Sequence, residues 1–260
     1  MSALTVAVVQ LASSTDPAEN REALGMVDEV CAAVPRPDLV VLPEAMMRDF
    51  GPPGSDVSGD AETLDGPFVQ RLVELAGSHR VTLVAGMFER SDDPSRPYNT
   101  LVVADGSGVR ATYRKIHLYD SFGYKESERL LAGEPEPVVV QIGGLGVGLM
   151  TCYDLRFPEL ARALVDRGAD LLVVPAAWVA GPGKADHWRT LLKARAIENT
   201  VFVAAAAQPP PRYTGLSMVV SPRGETVEAA DGTVSVVSSV GREVLDAVRA
   251  ENPSLANRRL

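Results

Sequence analysis

The chain has 260 residues, of which 46% are hydrophobic and 23% charged, as in folded globular proteins and unlike disordered chains. Its formal net charge is −9, and because no basic run exceeds two residues, as in Arg258 and Arg259, we expect no nucleic-acid partner. No 18-residue apolar run is present and the N-terminus lacks the basic segment of a signal peptide, so we expect a cytoplasmic protein without a membrane partner.

Short runs of β-branched and aliphatic residues alternate with amphipathic segments along the chain, which predicts an α/β fold. A helix is predicted over 16–34, with Asp16 as N-cap and Pro17 in its first turn. A second is predicted over 157–168, ending at Gly168, and a third over 185–199, with Asp186 near its start. The predicted strands are, in chain order, 4–10, 38–44, 81–89, 98–104, 108–115, 137–142, 145–151, 170–176, 199–207, 215–221 and 232–240.

Two strand candidates resemble each other. "DLVVLPE" (38–44) and "DLLVVPA" (170–176) each follow a strand and a helix, which favours two facing strand–helix–strand units and therefore two sheets. The Pro/Gly-rich stretches 50–60 and 208–212 are typical of surface loops. Since no linker or break in composition is visible, we expect a single domain over 1–260.

The chain has two cysteines, and in a large protein of a reducing compartment we expect both to be free thiols. Cys31 lies inside the first predicted helix and is best interpreted as a small buried hydrophobe. Cys152 follows an apolar strand and precedes a helix start. Amide dipoles at such a position would lower the pKa of the thiol, and this favours a nucleophile.

A cysteine nucleophile needs a base. Of the three histidines, His79 is expected to be solvated, while His117 and His187 lack the local signatures of known cysteine–histidine enzymes. Glu44 and Lys115 also end predicted strands, and a carboxylate base with a fixed positive charge would serve without histidine.

Six segments carry a family resemblance. In order along the chain they are "VVLPEA", "YRKIHLYDSF", "GVGLMTCYDLRFPELAR", "GADLLVVPAAW", "HWRTLLKARAIENTVFVAAA" and "GLSMVVSPRGE". Together they resemble the nitrilase superfamily of carbon–nitrogen hydrolases, from about residue 4 to about residue 250. "CYDLRFPE" with "ADHW" is most similar to the branch that contains ω-amidase and deaminated glutathione amidase.

The resemblance implies a four-layer α–β–β–α sandwich and a catalytic triad of Glu44, Lys115 and Cys152. It places a second glutamate at Glu126, in preference to its neighbour Glu128. The backbone N–H of Tyr153, together with Lys115, would stabilise an oxyanion.

No cofactor is implied by the resemblance, and no residues have the spacing of zinc ligands. Asp154, at a helix start, is interpreted as an N-cap, and Arg156 as the partner of a buried carboxylate.

The implied reaction is hydrolysis of a small primary amide to an acid and ammonia through a cysteine thioester. Branch resemblance predicts a substrate carboxylate away from the amide, and we assign Lys125, His187 and Trp178 to substrate binding. Further candidate cations for that carboxylate are Arg48, Lys184 and Arg189. A nitrile or an N-carbamoyl substrate, or a non-catalytic protein of the same fold, remain alternatives. Relatives form dimers, so we also predict a homodimer.

Overall fold

The computed structural model describes residues 3–229 and 234–259. Two six-stranded sheets form the centre of the described part, as the repeat predicted. The strands are β1 (Ala3–Val9), β2 (Leu39–Val41), β3 (Thr82–Glu89), β4 (Tyr98–Asp105), β5 (Gly108–Arg114), β6 (Asp120–Ser121), β7 (Tyr124–Lys125), β8 (Val139–Ile142), β9 (Leu145–Leu149), β10 (Leu171–Ala176), β11 (Phe202–Ala207), β12 (Met218–Val220), β13 (Thr226–Glu228) and β14 (Ser235–Gly241).

The two sheets have matching layouts. The first has the order β14-β1-β2-β3-β4-β5 and the second β13-β12-β11-β10-β9-β8, while β6 and β7 form a separate hairpin. The central pairs β1–β2, β2–β3, β9–β10 and β10–β11 are parallel, and the outer pairs are antiparallel. Within each sheet the parallel strands point their carboxyl ends to one edge. The segments that follow β2 and β10, in different sheets, meet where the Ala177 N–H donates to Glu44.

Helices cover the outer faces of both sheets. They are α1 (Pro17–Ala23), α2 (Met26–Ala32), α3 (Pro67–His79), α4 (Pro158–Asp166), α5 (Lys184–Asn199) and α6 (Arg242–Glu251). In β1, Val6 and Val8 pack in the core between the sheets, whereas Ala7 and Val9 pack with the helices on the other face, as the two-residue period of a strand requires. The predicted α–β–β–α sandwich is therefore confirmed.

Several predicted boundaries are corrected. Asp16 caps α1, its carboxylate accepting from the Ala18 N–H at 2.7 Å, but the predicted helix 16–34 is divided into α1 and α2 around Gly25. The helices α3 and α6 were not predicted, although both are amphipathic. The predicted strand 38–44 shortens to β2. The predicted strand 232–240 begins on residues that lie outside the described part. The strand β14 starts at Ser235.

A buried carboxylate anchors the C-terminal helix. Asp170, directly before β10, is 4% exposed and accepts hydrogen bonds from Arg242 at 2.7 and 2.9 Å, from Arg249 at 3.1 Å and from the Gly146 N–H at 3.2 Å. Both arginines lie on α6, so one carboxylate connects α6 to the second sheet. No helix of the described residues is long and apolar enough to cross a bilayer.

We expect Asp170→Ala to lower the free energy of unfolding by about 2 to 3 kcal/mol, because it leaves two arginines without their buried partner; their partial exposure reduces the effect below that of a fully buried pair. Urea denaturation followed by circular dichroism measures it. The control Asp166→Ala removes an exposed pair with Arg258 and should change stability less. Equal effects of the two substitutions would contradict the anchoring role.

Candidate active site

Glu44 is held rigidly although it follows β2 by three residues. The next residue, Ala45, has a positive φ of 56°. Gly86 on β3 lies directly against this turn, and a Cβ there would come within 2.6 Å of the Ala45 nitrogen and 2.8 Å of the Glu44 Cα. Only glycine permits this close approach. The Glu44 side chain is 1% exposed, and the Ala177 N–H donates to its Oε2 at 2.7 Å.

Lys115 follows β5 directly. Its backbone N–H donates to the Asn99 carbonyl of β4 at 2.8 Å, which extends the β4–β5 pairing by one step. The ammonium is fully buried and lies 3.0 Å from Glu44 Oε1 and 2.9 Å from Glu126 Oε2. One lysine therefore bridges two buried carboxylates.

Cys152 begins a short 3₁₀ turn, Cys152–Arg156, and has a positive φ of 45°. This conformation is rare for a residue with a side chain and must be imposed by its surroundings. The sequence carries no signal for it, since Gly is not at this position. The thiol is 8% exposed at the edge of a cavity.

Asp154 holds this turn in place through hydrogen bonds from its carboxylate. The N-cap is Thr151, and not Asp154 as predicted: Asp154 is three residues further along and accepts from the Thr151 N–H at 2.9 Å. Its carboxylate also accepts from the Tyr113 hydroxyl at 2.7 Å, and pairs with His117 through the backbone N–H at 3.1 Å and the ring Nδ1 at 2.8 Å. This bond network connects the Cys152 turn to the end of β5.

The two carboxylates next to Lys115 differ in the number of hydrogen bonds they accept. Glu126 receives four: Lys115 donates to both oxygens, Asn99 Nδ2 donates to Oε1 at 3.3 Å and the Tyr119 N–H donates to Oε2 at 2.6 Å. Glu44 Oε1 accepts from Lys115 and from Asn99 Nδ2 at 2.7 Å, while Oε2 accepts from Ala177 alone among the described residues. A carboxylate has about four acceptor sites, so Glu44 has one to spare.

The predicted lowering of the Cys152 pKa is wrong. Burial raises the pKa of this thiol well above its ordinary value, and the negative charge of Glu44 raises it further, against the opposing charge of Lys115. The five-residue 3₁₀ turn is too short to outweigh these effects. Cys152 is therefore a protonated thiol at neutral pH, and it must lose its proton to a neighbouring base to react.

Lys115 remains an ammonium. Burial lowers its pKa, but the charges of Glu126 and Glu44 outweigh this and hold the pKa well above its ordinary value. Burial raises the pKa of Glu126, and Glu44 adds to the effect while Lys115 opposes it. The site thus has a fixed positive charge next to Glu44 and Cys152.

A cavity of about 710 Å³ opens onto Cys152, Glu44 and Lys115. Aromatic side chains form much of its wall, and Trp178, Tyr119 and Phe122 are among them. Trp178 is fixed by its indole N–H, which donates to the Lys184 carbonyl at 3.0 Å. The turn after β10 thus supplies both Trp178 to the wall and the Ala177 N–H to Glu44.

The cavity wall includes four cations: Lys115, Arg156, Lys184 and Arg212. Arg212 pairs with Asp49. Lys184 lies 3.7 Å from the centre of the Phe122 ring and donates to the Tyr119 hydroxyl at 3.1 Å. The Arg156 guanidinium lies 4.8 Å from the centre of the Trp178 ring. The prediction that Arg156 pairs with a buried carboxylate is wrong, since no such pair is present among the described residues. The Nε of Arg156 is buried, and within the described part of the chain no atom accepts a hydrogen bond from it.

The other candidates lie away from the cavity. Lys125 is exposed and pairs with Glu128; His187 is exposed, with Nδ1 3.5 Å from Arg156; His117 pairs with Asp154 and stacks on Phe157. Arg48 pairs with Asp60, Arg189 with Glu228, and His79 with Asp28.

Both cysteines are free and buried. Among residues 3–229 and 234–259, no group of three His, Cys, Asp or Glu side chains could hold a metal ion.

Comparison with known proteins gives consistent results. The model of the carbon-nitrogen hydrolase family matches residues 5–241. A deaminated glutathione amidase of Escherichia coli O157:H7 is 41% identical over 223 residues, covering 85% of this chain and 84% of the relative. A 2-oxoglutaramate amidase of Paenarthrobacter nicotinovorans is 34% identical, covering 98% and 90%.

Among solved structures, a CN-hydrolase superfamily protein of Xanthomonas campestris with an arsenic adduct in its active site superposes with a TM-score of 0.88. It is 31% identical and covers 100% of this chain and 98% of its own. The resemblance read from the six sequence segments is confirmed. With its matching sheets, its sequence relatives and this structural neighbour, the chain belongs to the carbon-nitrogen hydrolase family.

Proposed function

We propose that the protein is an amidase that hydrolyses a small primary amide through a thioester on Cys152. The convergence of Cys152, Glu44 and Lys115 in the lining of one cavity carries this proposal. Cys152 needs a base because its pKa is raised, and Glu44 has an acceptor site that no hydrogen bond from the described residues fills. The two relatives named as amidases favour an amide over a nitrile or a carbamoyl group.

In the acylation step, Glu44 takes the thiol proton while Sγ bonds to the amide carbon. The carbonyl oxygen becomes an oxyanion, which the Lys115 ammonium and the Tyr153 backbone N–H stabilise. The C–N bond then breaks as Glu44 returns its proton to the leaving nitrogen, so ammonia departs and a thioester remains.

In the deacylation step, Glu44 takes a proton from water while the water oxygen bonds to the thioester carbon. The C–S bond breaks, the acid leaves, and the proton returns to Cys152. One carboxylate thus acts as base, acid and base in turn, while Glu126, which accepts four hydrogen bonds, keeps Lys115 in place.

The substrate carries a carboxylate remote from its amide. Arg156 and Lys184 place two positive charges on the wall of a cavity in a protein of net charge −9, and the Nε of Arg156 lacks an acceptor among the described residues. A guanidinium binds a carboxylate at two points. Lys125 and His187, which do not line the cavity, are replaced in this role by Arg156 and Lys184. The homodimer and the single domain stay predictions.

An anionic ω-amide should exceed a neutral amide of equal length by about tenfold or more in kcat/KM, as one charge-assisted hydrogen bond provides. Arg156→Gln should remove most of this preference while leaving the neutral amide nearly unaffected. Ammonia release measures both rates.

The matched control is Arg189→Gln, an exposed arginine of α5 that pairs with Glu228 and should keep the preference. Equal rates of the wild-type protein on anionic and neutral amides, or a preference for nitriles or carbamoyl amino acids, would contradict the proposed substrate. Neither result would affect the role of Cys152.

A further inference from the structure

Asn99, near the start of β4, lies between the two buried carboxylates. Its Nδ2 is 2.7 Å from Glu44 Oε1 and 3.3 Å from Glu126 Oε1. The side chain is 1% exposed and is not part of the cavity wall. It therefore cannot touch a substrate, and any role in the reaction acts through Glu44.

The orientation of the Asn99 amide is set by the carboxylates. Two carboxylate oxygens face Nδ2, and exchange of Nδ2 and Oδ1 would put an amide oxygen against both of them. In the observed orientation Oδ1 is buried and receives no hydrogen bond from the described residues. A buried acceptor without a donor is unfavourable, so its presence indicates that the two donated hydrogen bonds matter more.

These bonds determine which oxygen of Glu44 is open. Asn99 and Lys115 together fill both acceptor sites of Oε1, and the Ala177 N–H fills one site of Oε2. With donors on both oxygens the carboxylate cannot rotate about its last bond. One lone pair of Oε2 is left to exchange protons.

We propose that Asn99 is a positioning residue that locks the Glu44 carboxylate, so that Oε2 carries every proton of the reaction. The thiol proton moves from Sγ to Oε2, then from Oε2 to the leaving nitrogen, and the same oxygen takes the proton of the attacking water. Without Asn99, Lys115 is the donor left on Oε1 among the described residues, and the carboxylate is free to turn its open lone pair away from Cys152. This inference rests on the proposed function.

The test is Asn99→Leu, which keeps the size of the side chain and removes the donor. We expect kcat to fall about 10- to 100-fold, the effect of a lost charge-assisted hydrogen bond, with KM within about threefold of the wild type because Asn99 does not line the cavity. Asn99→Ser, a smaller change, serves if Asn99→Leu does not fold, and the same split between kcat and KM is expected.

The matched control is Asn199→Ala on α5, a second buried asparagine, whose Nδ2 donates to the Arg195 carbonyl at 3.0 Å and whose Oδ1 is also without a donor in the described part. It should lower the melting temperature without changing kcat. The inference would be overturned if an Asn99 variant kept kcat within threefold of the wild type. It would also be overturned if the substitution changed KM alone, or if Asn199→Ala lowered kcat to the same extent. Failure of the proposed function would be distinguishable, since Cys152→Ala would then remain active.

Discussion

Cys152→Ala should lower turnover of the true substrate by about 10³-fold or more, since removal of a covalent nucleophile leaves only binding and the oxyanion site. The protein should remain folded. Alanine loses only a sulfur at the edge of the cavity, and it adopts the positive φ of this position at a cost similar to that of cysteine. Ammonia release gives the turnover, and thermal unfolding followed by circular dichroism gives the stability.

Cys31→Ala is the matched control, because Cys31 is also a free, buried cysteine but lies in α2 within the helical layer. It should keep turnover near the wild-type level. Iodoacetamide should label Cys152 with one equivalent in the wild type and in Cys31→Ala. A Cys152→Ala variant that keeps more than a few per cent of its activity would refute the thioester mechanism.

Most of the strands could be predicted from the sequence, whereas the grouping of Glu44, Lys115 and Cys152 was implied by the family resemblance. Glu44 follows the apolar β-branched run of β2, and runs of this kind indicate buried strands. The strand before Lys115 instead contains Arg110 and Arg114 and is partly exposed. The sequence analysis predicts neither α3 nor α6, although both have the periodicity of amphipathic helices. Exact ends were less predictable, since Leu42 and Pro43 continue the apolar run of β2 without strand pairing.

Features that depend on long-range pairing could not be predicted. Asn99 reaches the two carboxylates only because β4 pairs with both β3 and β5. Asp154 looked like an N-cap because local sequence favours that role, whereas its partners Tyr113 and His117 lie about 40 positions away. Arg156 was assigned to a buried carboxylate, but the turn directs it to Trp178. Orientation within a site is set by tertiary contacts, which residue spacing does not reveal.

The pKa of Cys152 also depends on tertiary contacts that residue spacing does not reveal. A strand end before a helix favours a lowered value, but burial and the charge of Glu44 reverse the direction. Under the proposed mechanism Glu44 has two opposing effects on the thiol: its charge disfavours the thiolate, and its open lone pair accepts the proton. These two effects can be separated by a substitution that removes the charge and keeps the size.

Glu44→Gln is that substitution, and it should lower turnover by about 10³-fold or more because no group then protonates the leaving nitrogen. The thiol itself should ionise more easily. The negative charge of Glu44 raises the pKa of Cys152, so its removal beside the Lys115 ammonium lowers that pKa. The rate of alkylation by iodoacetamide should consequently reach half its maximum at a lower pH in Glu44→Gln than in the wild type.

The control is Glu89→Gln, which alters a buried glutamate on β3 that accepts from Arg114 and Thr100 and lies outside the cavity wall. It should lower the melting temperature while leaving both turnover and the pH dependence of alkylation close to the wild type. Turnover of Glu44→Gln above about 1% of the wild type, or a midpoint of alkylation displaced to higher pH, would contradict Glu44 as the group that moves the proton. Loss of turnover together with easier ionisation of Cys152 would instead assign the defect to proton delivery, since the nucleophile would be present and more reactive than before.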